Sequence, residues 1–150
     1  MPAFTGRDVI AEFAIADELA AVGSLSWLRL GMMRAKGIST SWDTADTTAD
    51  QSPGFTRTSL VTFKSVEFSG DGVSYDDAAY NQKVLNAHVV SPGSGTANQP
   101  KAWFRLTFPD GSAYVGPFIV STWESANPYD SECTWSLTAQ SNGNVVYTAA

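Results

Sequence analysis

Cysteine and histidine each occur once in the 150 residues, as Cys133 and His88. A single thiol excludes an internal disulfide. An oxidising compartment offers such a chain nothing, so folding inside a cell is expected. One histidine without a cysteine cluster leaves no ligand set for a transition metal. Charge is also scarce: 16% of residues are charged, against about a quarter in ordinary domains. Lys and Arg number 9 against 15 Asp and Glu, for a net charge of −6. That balance argues against a grip on nucleic acid, which needs clustered cations. No run approaches the roughly 18 apolar residues of a membrane helix. The opening MPAFTGRDVIAEF lacks the basic start and apolar core of a signal peptide. The G-x-x-x-x-G-K-[ST] phosphate loop and the G-x-S-x-G elbow are both missing. What remains is globular: 43% hydrophobic and 12% aromatic residues are enough for one domain over 1–150 with a sizeable core.

The chain is organised around Ile38 to Phe68, ISTSWDTADTTADQSPGFTRTSLVTFKSVEF. Ile38, Thr40 and Trp42 alternate with Ser39, Ser41 and Asp43, the period of a half-buried strand. From 43 to about 56 nearly every residue is small, polar or acidic, with Pro53-Gly54 as a breaker pair. A second strand runs from about Arg57 to Phe68. A connection this long is uncommon in a compact domain unless it carries function. It reads as an arm that reaches another copy of the protein.

On either side the pattern is mostly β. Residues 1–6 form a flexible lead. A first strand spans Arg7–Ile15, with Val9, Ala11, Phe13 and Ile15 on one face, and a second spans Trp27–Leu30. Ser69-Gly70-Asp71-Gly72 reads as a glycine-rich turn. The pair Ser74 and Asp77 resembles a capping box opening a helix over 75–89, with Tyr80, Val84 and Ala87 on one face. SPGSGTANQP breaks the chain again. Lys101–Phe108 and Ala113–Glu124 form a hairpin about Pro109-Asp110-Gly111, bulged or at an edge at Gly116-Pro117. Cys133, Trp135, Leu137 and Ala139 alternate with Glu132, Thr134, Ser136, Thr138 and Gln140. A hairpin turn at 141–144 leads to a last short strand, Val145–Thr148. The fold class is mainly β with one helix, a small β-sandwich or barrel of seven or eight strands.

Few residues invite chemistry. His88 reads as a structural histidine and Cys133 as core. Asp43, Asp46 and Asp50, like Asp71, Asp76 and Asp77, lack the order of a calcium loop, and nothing pairs two of them for glycoside hydrolysis. They read as solvated loop charge or as salt-bridge partners for a neighbouring subunit. The five tryptophans all fall on expected strands, which favours core or interface packing over a sugar platform. No cofactor is implied, and an enzyme has almost nothing in its favour.

The order of parts carries more than any residue. The segments Trp42-Asp43-Thr44 and Asp46-Thr47-Thr48, then FSGDGV, a helix, TFPDGS, GPFIVS and a closing SNGNVVYTA, resemble the major tail tube proteins of long non-contractile phage tails. They resemble equally the related tubes of gene transfer agents and F-type bacteriocins. Where that family often carries a Trp-Arg-Glu-Leu-like element, this chain has Phe55-Thr56-Arg57-Thr58. The resemblance spans about Gly6 to Ala150.

It implies six-membered rings stacked into a hollow virion tail tube. One sheet of each subunit would join a continuous barrel around the lumen, with the helix outside. Tape measure, tail terminator and tail tip proteins are the implied partners, and DNA slides through without specific binding. The subunit would be made soluble in the host cytoplasm. Inter-ring contacts are expected from Asp43, Asp46, Asp50, Phe55 and Arg57. Lumen-facing residues are expected to be Ser39, Ser41, Asp43, Glu132, Thr134 and Ser136. The other function class left open is a β-sandwich binding module of a tail tip or decoration protein that recognises a cell-surface ligand.

Overall fold

The computed structural model describes all residues except 1, 2, 4, 50–53, 55, 58, 76 and 150. Eight strands are present among them: β1 (Ile10–Ala14), β2 (Leu28–Arg29), β3 (Met33–Asp46), β4 (Ser59–Val73), β5 (Lys101–Thr107), β6 (Ala113–Ala126), β7 (Thr134–Ser141) and β8 (Val146–Thr148). The helix α1 (Gln82–Val90) lies between β4 and β5. All pairings are antiparallel, in the order β2-β1-β5-β6-β7-β4-β3, with β8 also on β6.

This single open sheet curls on itself. Phe68 of β4 and Phe104 of β5 are three places apart in strand order, yet their rings stack at 5.1 Å. Phe118 meets both edge-on, at 6.5 and 5.7 Å. Val9, Ala11 and Phe13 are buried as their alternation requires, and so are Phe104, Leu106, Leu137 and Ala139. Ile15, expected on the same face, is exposed because β1 ends at Ala14.

Several elements differ from their sequence patterns. Ser69–Gly72 is no turn; it continues β4 and pairs with both β3 and β7. Its glycines serve close approach rather than positive φ. A Cβ on Gly72 would overlap the Met32 carbonyl oxygen, and one on Gly70 would overlap Met33. The helix starts later than expected, after a 3-10 turn at Ala78–Tyr80, and its cap is Asn81 in the left-handed region. Asp77 instead accepts from the Ala79 N–H at 2.9 Å. The buried face of α1 is Gln82, Leu85 and His88, while Val84 is exposed.

The reason is polar. Gln82 Nε2 donates to the Gly31 and Val73 carbonyls at 3.0 Å each, and its Oε1 accepts from Tyr75 N–H at 3.0 Å. Hydrophobic spacing carries no sign of such a residue. His88 is structural, with Nε2–H donating to the Lys101 carbonyl at 2.8 Å.

At the other end, the bulge in β6 falls at Ser121 rather than at Gly116-Pro117. Pro117 lies in the interval between the β8 ladder, which ends at Val115, and the β7 ladder, which begins at Phe118. Residues 141–144 do not close a hairpin, because β8 leaves β7 and pairs with β6. Cys133 is exposed, since β7 begins only at Thr134.

Replacing Gly72 with Ala is expected to cost about 1–3 kcal/mol, because backbone must shift to admit the methyl group. Gly95→Ala, with nothing near its Cβ, should stay within about 0.5 kcal/mol of the parent. Gln82→Ala strands two carbonyls and an N–H, and should cost about 1–3 kcal/mol. Denaturant midpoints of the three variants check all of these.

Candidate assembly surface

The β4–β7 ladder ends at Glu67; Val66 N–H still donates to Ser141 Oγ at 3.0 Å, and from there to Ser59 β4 pairs with β3 alone. Residues 39–46 and 59–65 therefore form a two-stranded ribbon, exposed throughout. Threonines and other β-branched residues suit this extended form, but an isolated two-stranded ribbon is marginal in water. It carries large apolar side chains that its own chain leaves uncovered: Phe63 is 74% exposed, Leu60 61% and Trp42 53%. Lys64 Nζ lies 6.0 Å from the Trp42 ring centre. A bulge interrupts the ribbon's register between Trp42 and Thr44, and bulges raise the local twist of a strand pair.

The expected arm is thus longer than a loop. Asp43 and Asp46 are in β3 itself, and the connection begins only after Asp46. Both aspartates and Arg57 are exposed. Asp46 accepts from the Thr48 N–H at 2.8 Å, and its bonds from Thr48 hold its carboxyl below the usual range. Asp50 and Phe55 lie outside the described residues.

At the base of the ribbon, β3, β4, β7 and the second half of β6 form a four-stranded section with two faces. Val66, Phe68, Trp135, Leu137 and Ala139 point into the core. Trp123 stacks on Trp135 at 5.0 Å, beside α1. The opposite face follows from the register. Ser39 pairs with Glu67 and Glu67 with Gln140; Ser69 pairs with Thr138, and Asp71 with Ser136. On β6, Thr122 lies opposite Thr138 and Glu124 opposite Ser136.

Four of the expected lumen residues, Ser39, Ser41, Thr134 and Ser136, therefore share one face by alternation. Asp43 continues that alternation onto the ribbon. Glu132 lies before β7 and instead accepts from Arg34 Nη2 at 2.6 Å, which lowers its pKa. Sequence reasoning missed the carboxylates of this face, Glu67, Asp71 and Glu124. Taking 69–72 as a turn hid the alternation of Glu67, Ser69 and Asp71. Arg34, paired with Glu132, and Lys36 are cations that border this face.

Both flanks of this section have unpaired backbone. Among the described residues nothing pairs with the outer edge of β3. β5 pairs with β6 only over residues 113–119, leaving 121–126 unpaired on that side. Long open edges of this kind attract other strands. Among the described residues no group of three or more His, Cys, Asp or Glu is placed to hold a metal, and no helix is long and apolar enough to cross a membrane.

Comparison with known proteins finds matches over nearly the whole chain. No curated protein matches. The chain is similar to a subunit in the tail of an empty gene transfer agent particle refined with helical, C6 symmetry. The identity is 25%, the TM-score 0.72, and the match covers 98% of this chain and 100% of that one. A chain in the virion of a native gene transfer agent matches at 23% identity and TM-score 0.72, with the same coverage. The SPP1 tail tube shares the fold at 15% identity and TM-score 0.63, over 99% of this chain and 80% of that one. The family profile described as phage tail tube protein matches residues 3–147. The chain belongs to the phage tail tube protein family.

Proposed function

We propose that this protein is the repeating subunit of a tail tube, six copies to a ring, with rings stacked around a bore that passes DNA. The observation that carries the reading is the four-stranded section with two open edges and one polar, acid-bearing face. Its strands alternate in direction, β3 up, β4 down, β7 up and β6 down. A neighbour related by rotation about an axis along the strands therefore brings its β6 beside this chain's β3, again antiparallel. Every such junction satisfies two rows of backbone groups and removes two aggregation-prone edges. Six copies match the C6 symmetry of the similar gene transfer agent tail.

In such a ring the polar face lines the bore. Glu67, Asp71 and Glu124 set a negative field that keeps phosphates from sticking, while Ser39, Ser41, Thr134, Ser136 and Thr138 offer only neutral contacts. The helix lies on the opposite side of the section, outside the barrel. The ribbon reaches an adjacent ring, with Asp43, Asp46, Asp50, Phe55 and Arg57 as its contact residues. The role is structural rather than enzymatic, and the protein works in the virion tail after synthesis in the host cytoplasm. A tape measure protein within the bore and terminator and tip proteins at its ends complete the set of partners. A binding module at a tail tip accounts less well for two open strand edges flanking one polar, acid-bearing face.

Two experiments test this. Replacing residues 47–54 with a two-residue turn is expected to leave a folded subunit, by circular dichroism and sedimentation, that forms no tubes in negative-stain microscopy. Normal tubes from that variant would contradict the arm's role. Glu67→Lys should leave tubes intact while making them retain short DNA at low salt, released as salt rises. Retention no greater than that of the parent tubes would place Glu67 away from the bore.

A further inference from the structure

The two ends of β3 carry opposite charge. At its start, Arg7, Arg29, Arg34 and Lys36 line a cleft of about 340 Å³ between the β1–β2 pair and β3, with Val9 and Leu30 in its wall. Four of the chain's nine Lys and Arg converge there. The nearby carboxylates are engaged. Glu132 accepts from Arg34 at 2.6 Å, and Glu12 from Arg105 at 2.8 and 3.2 Å. Asp8 accepts from Thr5 Oγ1 at 2.9 Å and lies 4.0 Å from Arg7. Lys36 Nζ donates to a neutral group, the Gly6 carbonyl, at 3.0 Å. Partial burial, then repulsion from Arg29, holds its ammonium below the usual lysine range. Among the described residues neither Arg29 nor Lys36 makes an ion pair.

At the far end of the same strand, Asp43 and Asp46 are exposed. Ten residues of extended chain separate Lys36 from Asp46, about 33 Å at ~3.3 Å per residue. A continuous strand of that length keeps a subunit's own tip out of its own cleft. A basic socket at one end and an acidic tip at the other make a head-to-tail contact, which repeats along an axis into an open filament.

We propose that the cleft around Arg29 and Lys36, rimmed by Arg7 and Arg34, is the socket for the Asp43–Asp46 tip of a subunit in the adjacent ring. The socket rests on the tail tube reading and adds to it the surface that receives the arm. Charge complementarity sets register and excludes tip-to-tip contact, where acid would meet acid. The apolar wall residues Val9 and Leu30 give the contact a desolvated floor.

The test uses the full-length protein, with tubes counted by sedimentation and negative-stain microscopy. Arg29→Glu with Lys36→Glu is expected to lower the tube yield about tenfold or more, leaving ring-sized or smaller particles. Asp43→Lys with Asp46→Lys should do the same, and the chain carrying all four changes should recover tubes. Parent protein that never forms tubes would remove the tube reading and the socket together. Parent tubes alongside undiminished tubes from the reversed cleft would overturn the socket and leave the tube reading standing. A four-change chain that stays unassembled would also overturn the socket.

A second measurement does not depend on those variants folding. With Cys133→Ser as background, oxidised tubes carrying Arg29→Cys and Asp46→Cys should give a ladder of cross-linked subunits. Well-formed tubes without that ladder would overturn the proposal.

Discussion

Unsatisfied backbone along two strand edges is the constraint on which the rest depends. Fourteen residues of β3 have one flank paired with β4 and the other with nothing described. β6 outruns β5 and bares its own second half. Open edges of this length are a hazard that single-copy proteins blunt with charge, proline or bulges. Here the outer stretch of β6 has its bulge at Ser121, and its proline lies earlier, at Pro117. Bulges at Ser121 and within β3 interrupt these edges without covering them, and the stretches between stay open to another strand.

Given that constraint, the two faces of the section divide their work. The inner face is locked by Phe68, Phe104 and Phe118, and by α1 through Gln82 and Leu85. This rigid side fixes the register, and register decides which side chains reach the opposite face. Small hydroxyl residues and the three carboxylates Glu67, Asp71 and Glu124 occupy it, with Arg34 and Lys36 only at its border. The shortage of Lys and Arg acquires a place as well as a number. Six of the nine gather at the cleft beside Met33–Lys36, at Arg105 against Glu12 and Trp27, and at Lys101 against Glu18, while Lys64 lies on the ribbon and Lys83 on α1.

Much of this was legible in the sequence because period-two alternation survives wherever one face is buried. β5, β7 and the hairpin at Asp110-Gly111 were readable for that reason, and the order of segments pointed to the family. Misreadings arose where a residue's role is set by something distant. Gly70 and Gly72 look like turn residues, and only the approach of β3 reveals that they admit backbone. Gln82 looks like a solvent residue until the Gly31 and Val73 carbonyls are placed around it. Cys133 shares the parity of Trp135 but stands before the strand begins. The basic cleft was invisible in sequence because Arg7, Arg29, Arg34 and Lys36 come from three separate segments. Asp43 and Asp46, the acidic residues proposed to meet that cleft, were plain because they lie in one continuous segment.

A helical reconstruction of assembled tubes at a resolution that traces strands tests the central claim most directly. The account predicts that the outer edge of β3 in each subunit hydrogen-bonds residues 121–126 of its neighbour's β6, antiparallel, with Glu67, Asp71 and Glu124 facing the bore. Tubes in which either edge remains unpaired, or in which that acidic face points outward, would contradict it.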